Sequence, residues 1–326
     1  MKLATLKNLQ RDGCLVVVNR ELTRAKRVPD IAPTLQAALD NWQYTEAQLR
    51  QVYQSLNDDA NDSIAFDASI IAAPLPRAFQ WLDGSAYLSH VERVRKARGA
   101  SLPDSLLDDP LMYQGGSDTL LGVHDPIEVS SQEWGIDFEA EVGIITDDVA
   151  AGVTAQQATA HIKLVVLIND ISLRNLIPNE LAKGFGFLHG KPSSAFSPVA
   201  VTPDELGNAW QDSKLHLPIH VYWNEQLFGQ ADAGADMHFN FARLISHAAK
   251  TRDLCAGTII GSGTISNYNF NTGCSCIVEK RVVEISDSGN AQTDYLHDGD
   301  KVRIEMSDRT GQSIFGAIEQ EVKSCR

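Results

Sequence analysis

The sequence predicts an α+β protein, on three observations. Short apolar runs bounded by turn residues, Cys14–Val18 and Ile162–Ile168, read as buried strands. Between Thr34 and Leu56 the apolar positions Leu35, Ala38, Leu39, Trp42, Ala47, Leu49, Val52 and Leu56 recur at helical spacing. Residues 137–145 alternate strictly, with carboxylates at Asp137, Glu139 and Glu141 and apolar side chains at Phe138, Ala140, Val142 and Ile144. Alternation with a period of two puts successive side chains on opposite faces of a strand. At 326 residues the chain exceeds the usual single domain. A small N-terminal α+β domain is expected over residues 1–70 and a larger domain over 71–326.

Composition narrows the function classes. Hydrophobic residues make up 43% and charged residues 21%, ordinary values for a soluble globular chain. A formal net charge of −14 argues against nucleic-acid partners and anionic membrane surfaces. The five cysteines, Cys14, Cys255, Cys274, Cys276 and Cys325, are odd in number and scattered, which is no disulfide framework. Cys274 and Cys276 lack C-x-x-C spacing and read as ordinary strand residues. The first residues hold no long apolar run, so no signal peptide is expected. No apolar stretch approaches ~18 residues, so no membrane span is expected. A reducing cytoplasm fits these features.

In chain order, Leu3–Leu6 is a short strand with a turn at Arg11-Asp12-Gly13. Residues 57–62 are a polar break after the helical stretch. Pro74 and Pro76 enforce an extended segment. Asp83 precedes a helical run as a candidate N-cap, and His90 follows it by seven residues, two turns of a helix. Residues 92–118 are first basic (Arg93, Arg95, Lys96, Arg98) and then loop-like, holding Tyr113, which suits either a lid or a pinned loop. Thr154 can cap a helix through His161. The strand after it ends at Asn169-Asp170, where a carboxylate needs a partner that Arg174 could supply. Gly190-Lys191 lacks the phosphate-loop frame, so Lys191 is a cation of the surface or of a pocket. The C-terminal third is mostly β, with alternation over Leu215–Trp223, a turn at Asn224-Glu225, a helix over Phe239–Ala249, a strand and glycine-rich turn over Thr258–Ser266, and strand material over Cys274–Ile285. His297–Lys301 forms a last turn.

The acids that most need explaining are Asp83, Glu139, Glu141 and Asp170. Converging carboxylates make an oxygen-only site for a hard dication, Mg²⁺ or Ca²⁺, with Mn²⁺ also suited. For residues 137–145 alone, the simpler alternative is a solvated sheet face.

Four motifs in this order, Asp137-x-Glu139-x-Glu141-Val142, Asn169-Asp170-x-Ser172-x-Arg174, Gly190-Lys191 and Gly263-Thr264-Ile265-Ser266, resemble the fumarylacetoacetate hydrolase superfamily over about residues 75–326. The interval from Asp83 to His90 resembles its fumarylacetoacetase branch. The resemblance implies a mixed β-roll catalytic domain, a homodimer, and a metal held by Asp83, Glu139, Glu141 and Asp170. It implies that His90 is the general base and that Arg174, Lys191, Tyr113 and Thr264 contact the substrate or its developing charge. Glu279, the only acid in 274–281, is assigned as the partner of His90. Tyr87 and Arg98 join the substrate-binding candidates. Two positions depart from the family pattern: Ser85 replaces a tyrosine and Ile177 a glutamine.

The activity so implied is metal-dependent hydrolysis of a C–C bond in a 1,3-diketo acid. The leading substrate is fumarylacetoacetate, split to fumarate and acetoacetate in tyrosine degradation. Acylpyruvate hydrolysis, 2-keto diacid decarboxylation and 2-keto-4-enoate hydration are the sister activities. A non-catalytic metal-binding protein is the alternative of a different class.

Overall fold

The computed structural model describes residues 1–58, 62–97 and 104–324. Arg98 and Cys325 lie outside the described residues. The fold is mixed α+β. One large sheet runs, in spatial order, from the short pairing Ile64–Ala65 through Arg24–Arg27, Cys14–Val18, Lys2–Leu6, Ala200–Val201, Ile162–Asn169, Ala140–Thr146, Ile259–Gly261 and Trp81–Gly84 to Met112–Gly115. A five-stranded sheet adds Gln226–Gly229, His220–Trp223, Lys301–Ser307, Ser313–Ser324 and Ile127–Val129. Between His220–Trp223 and Gln226–Gly229, Asn224 and Glu225 both take positive φ (48° and 66°), the twist a tight hairpin requires.

The N-terminal helical pattern resolves into two helices, Leu35–Asp40 and Trp42–Asp58, because Asn41 leaves helical dihedrals (φ −128°, ψ 33°). Thr34 caps the first by accepting from the Ala37 N–H. Leu35, Leu39, Leu49 and Leu56 bury against Leu15 and Val17 of the sheet.

Strand register builds the site. Ala140–Thr146 lies between Ile162–Asn169 and Ile259–Gly261, with Glu141 opposite Ile168. Trp81–Gly84 runs parallel to Ile259–Gly261, placing Asp83 opposite Gly261. Met112–Gly115 then sets Tyr113 opposite Asp83. A Cβ on Gly261 would collide with Asp83 Oδ1 and lie 2.9 Å from Glu141 Oε2, so this glycine makes room for two carboxylates at once.

Several expectations are corrected. Asp83 sits inside a strand rather than capping a helix, and the helix bearing His90 starts only at Leu88. The carboxylates of 137–141 are no solvated face, since Asp137, Glu139 and Glu141 are all buried. The alternation is also interrupted. Ile136–Asp137 pairs with Ser172–Leu173, and the long strand begins at Ala140. Residues 92–118 are not one loop: Leu88–Ala97 is helix and Met112–Gly115 is strand.

Residues 274–285 are not strand material either. Ile277–Ser288 is a helix, and Cys274 and Cys276 lie in its approach. Its β-branched residues favour a strand locally, but Asp137 accepts hydrogen bonds from the N–H groups of Ile277 (2.7 Å) and Val278 (2.9 Å). A buried carboxylate there satisfies donors that the first helical turn would otherwise leave unpaired. Gly289 ends the helix in the left-handed region (φ 85°).

Candidate active site

A cavity of about 440 Å³ opens at the C-terminal end of Trp81–Gly84, lined by Asp83, Ser85, Tyr87, His90, Glu139, Arg174, Lys191 and Thr264 among others. Asp83, which lines it, and the carboxylates of Glu141 and Asp170 bring ligand atoms within 4.8 Å of one another, all three buried. Glu139 stands beside this cluster with both oxygens engaged. Oε1 accepts from Arg174 Nη2 and Oε2 from Lys191 Nζ at 2.7 Å. Lys191 Nζ also reaches Asp170 Oδ2 at 2.5 Å, and Tyr113 and Ser194 donate to Asp170 at 2.6 and 2.7 Å. Arg174 is therefore not the partner of Asp170. It pairs with Asp137 (2.8 Å) and Glu139.

The cluster carries more negative charge than its surroundings offset. Among the described residues, Asp83, Asp137, Glu139, Glu141 and Asp170 are offset by two buried cations, Lys191 and Arg174. Among the described residues no N–H or hydroxyl donor reaches either oxygen of Glu141, whose carboxyl lies against that of Asp83. Burial, with the charges of Asp83 and Asp170, pushes its carboxyl well above the usual range. Burial and Asp170 do the same to Asp83, whose Oδ1 accepts from the Gly263 N–H at 3.0 Å. For Glu139 burial acts upward, but Lys191 and Arg174 outweigh it and hold the carboxyl well below its usual range. Burial drives Tyr113 up and Asp170 adds to it, so its phenol stays protonated. A buried acid without a donor needs a proton or a cation. The oxygen-only donor set, the orphaned Glu141 and the clearance at Gly261 fit a hard dication held by Asp83, Glu141 and Asp170.

On the cavity wall, His90 Nδ1 lies 2.8 Å from Glu279 Oε2. Glu279 is buried, and its Oε1 accepts from Arg93 Nη1 and from Ser266 Oγ (2.8 Å). Burial acts upward on Glu279, but the bond from His90 and the Arg93 charge bring it below its usual range. An ionised Glu279 fixes Nδ1 as the protonated nitrogen and leaves Nε2 as the basic one. Tyr87 is buried, with its hydroxyl donated to the Ala233 carbonyl at 2.6 Å. Thr264 is buried at the cavity edge.

A family model described as fumarylacetoacetate (FAA) hydrolase C-terminal matches residues 80–323. This chain belongs to the fumarylacetoacetate hydrolase family. A second family model, fumarylacetoacetase N-terminal domain 2, matches residues 1–77. Among curated relatives, a 2,4-didehydro-3-deoxy-L-rhamnonate hydrolase of Sphingomonas sp. (strain SKA58) is 30% identical over 159 residues, covering 48% of this chain and 53% of that protein. The matched segment thus spans about half the length of that relative. The oxaloacetate tautomerase fahd2, mitochondrial, of Xenopus laevis is 21% identical, covering 76% of this chain and 86% of that protein. Among solved structures, the maleylpyruvate hydrolase of Sphingobium sp. SYK-6 in complex with manganese (II) ion and pyruvate superposes with a TM-score of 0.67 at 14% identity, covering 100% of both chains. The fumarylacetoacetate hydrolase of psychrophilic Exiguobacterium antarcticum gives 0.68 at 18% identity, again covering 100% of both. At these identities the structural likeness shows the fold.

The two curated relatives so matched are named as a hydrolase and a tautomerase. Among the described residues no helix is long and apolar enough to cross a membrane.

Sequence reasoning passed over two contributors, Arg93 and Ser266. Arg93 follows His90 by three residues on one helix, so the two side chains share a face. That spacing was readable once the helix was placed. Arg93 also donates to the Asn267 carbonyl at 2.8 Å, which ties Glu279 to the 263–267 turn. Arg93→Ala is expected to lower kcat by about 10-fold or more with little change in KM, since Glu279 loses one of its anchors. Lysine at 93, or added guanidinium, should restore part of the loss. A KM effect without a kcat effect would deny Arg93 this positioning role.

Proposed function

We propose that this protein catalyses metal-dependent hydrolysis of a C–C bond in a 1,3-diketo acid. The observation that carries the reading is one cavity lined both by His90, which pairs with Glu279, and by Asp83, which clusters with Glu141 and Asp170. Fumarylacetoacetate, giving fumarate and acetoacetate, is the reference substrate that the motif order implies. A homodimer, a cytoplasmic setting and a boundary near residue 70 belong to the same proposal.

A dication held by the cluster, Mg²⁺, Ca²⁺ or Mn²⁺, would polarise the carbonyl under attack. The chain's own residues supply the proton chemistry. Nε2 of His90 takes a proton from water as the oxygen adds to the carbonyl carbon. Glu279 stabilises the imidazolium without leaving its place, because Arg93 and Ser266 hold its other oxygen. Lys191 lies on the floor with a charge that burial disfavours but Asp170 and Glu139 maintain, and it offsets the developing oxyanion. The C–C bond then breaks with its electron pair leaving as an enolate. The proton held by His90 returns to that carbon, so water is consumed and a carboxylate, a methyl ketone and one proton are released.

The test is the loss of diketo absorbance of fumarylacetoacetate and of simple acylpyruvates, with and without a chelator. Chelator-sensitive turnover that returns with added Mg²⁺ or Mn²⁺ supports the reading. Absence of turnover on every diketo acid in the presence of metal would falsify it.

A further inference from the structure

Cys276, which the proton chemistry does not use, stands beside the groups that carry it. It is the N-cap residue of the Ile277–Ser288 helix, and Glu279 follows in the first turn. A spacing of three sets the two side chains on one side of the helix start. A backbone bridge between Glu139 and Cys276 fixes the cysteine in place. The Leu88–Ala97 helix packs against the same helix and brings His90 to Glu279. One ligand atom each from His90, Cys276 and Glu279 lies within 4.8 Å of the other two. Cys276 and Glu279 are buried, and His90 lines the cavity.

These donor types differ from those of the carboxylate cluster. An oxygen-only set favours a hard dication, whereas nitrogen and sulfur favour a borderline ion such as Zn²⁺. Ligand atoms around a tetrahedral zinc stand about 3.3–3.8 Å apart, so the triad closes on an ion by shifts on the order of 1 Å. Arg93 and Ser266 hold Oε1 of Glu279, and Oε2 remains for a metal. A thiolate and a carboxylate together neutralise a dication that the Arg93 guanidinium would otherwise repel. Water from the cavity serves as the fourth ligand.

We propose that His90, Cys276 and Glu279 form a second, inhibitory metal site that takes Zn²⁺ in preference to Mg²⁺. Zinc replaces the proton between His90 Nδ1 and Glu279 Oε2. That proton moves through solvent to Nε2, and the Cys276 thiol releases its own proton to water. The imidazole stays neutral, but Nε2 now carries hydrogen and cannot accept a proton from water. Turnover stops while Asp83, Glu141 and Asp170 keep their own ion. The binding stands on the geometry alone, and the inhibition rests on the hydrolase reading above.

The first measurement is a Co²⁺ titration of the full chain in excess Mg²⁺, because a cobalt–thiolate bond gives a charge-transfer absorption in the near ultraviolet. The band should appear in the unaltered protein and in Cys274→Ala, and vanish in Cys276→Ser. His90→Ala, which keeps the thiol, should need at least about 10-fold more cobalt to show it. The second measurement is Zn²⁺ inhibition of Mg²⁺-supported turnover. Cys276→Ser should match the parent rate without zinc and need upwards of about 10–100-fold more zinc for half-inhibition. No band in the parent, or a band that persists in Cys276→Ser, would overturn the site. Equal zinc sensitivity of parent and Cys276→Ser would overturn its inhibitory role. If Cys276→Ser does not fold, the parent band and its shift in His90→Ala decide the matter. Absence of turnover on every diketo acid would count against the hydrolase reading, and the cobalt titration would still decide the site.

Discussion

His90→Ala is expected to lower kcat by about 10²–10⁴-fold while dication affinity stays unchanged. The two halves of that expectation come from different contacts. His90 is committed through Nδ1 to Glu279 at 2.8 Å, so its remaining nitrogen is the proton acceptor the cavity offers. Glu279 cannot substitute for it, because Arg93 and Ser266 hold its other oxygen and help keep the buried carboxylate below its usual range, a poor proton acceptor. The carboxylate cluster does not include His90, so metal binding measured by calorimetry should match the unaltered protein. His90→Gln should behave like alanine in rate, since an amide retains the hydrogen bond but cannot take up a proton. Retention of more than about a third of the rate would remove His90 from the proton transfer.

Glu141→Gln is expected to act in opposite directions on the metal-free and metal-loaded protein. Glu141 is buried, and among the described residues no N–H or hydroxyl donor reaches either oxygen. Burial and the Asp83 and Asp170 charges raise its carboxyl above the unfolded value. An acid whose folded-state pKa is raised binds a proton on folding. Stability is thus present below the ordinary carboxylate range and falls as pH rises toward the folded value, at about 1.4 kcal/mol per pH unit in that window. A neutral amide removes that dependence. The chelated variant should melt higher than the chelated parent at pH 7, with the gap growing upward from about pH 5. With Mg²⁺ present the order should reverse, because one of the proposed carboxylate ligands is gone. The affinity loss should exceed the roughly 10–100-fold typical of removing an outer-sphere partner. Thermal melts of both proteins from pH 5 to 8, with metal and with chelator, read all four cases. A variant that melts lower in chelator throughout would mean that Glu141 does not strain the metal-free fold.

What could be read from the sequence was local. Apolar runs such as Ile162–Ile168 and the cap at Thr154 are set by neighbouring residues, and the structure forms them, with Gln157 completing a capping box and the α-helix ending at Ala158 rather than His161. What failed was decided far along the chain. Asp83 sits in a strand because Trp81–Gly84 pairs with Ile259–Gly261, which nothing near Asp83 reveals. Residues 277–288 coil into a helix because Asp137, 140 positions earlier, receives their first N–H groups. The choice of Asp170 as Arg174's partner followed sequence proximity. In the structure Ser172–Leu173 pairs with Ile136–Asp137, and that register carries Arg174 to Asp137 instead. Glu279, picked as the only acid in its stretch, stands beside His90, but on a helix where strand was expected.

The pairing of Lys2–Leu6 with Ala200–Val201 has a practical consequence. The first strands continue the same sheet that carries Glu141, and Leu3, Leu15 and Val17 pack in one cluster with Leu164, Val166 and Ile168. Cutting residues 1–77 away would uncover the backbone donors and acceptors of Ala200–Val201 together with the apolar faces beside them. An uncovered edge flanked by apolar surface recruits other chains. The shortened protein should therefore precipitate or form ribbons rather than behave as a minimal catalyst.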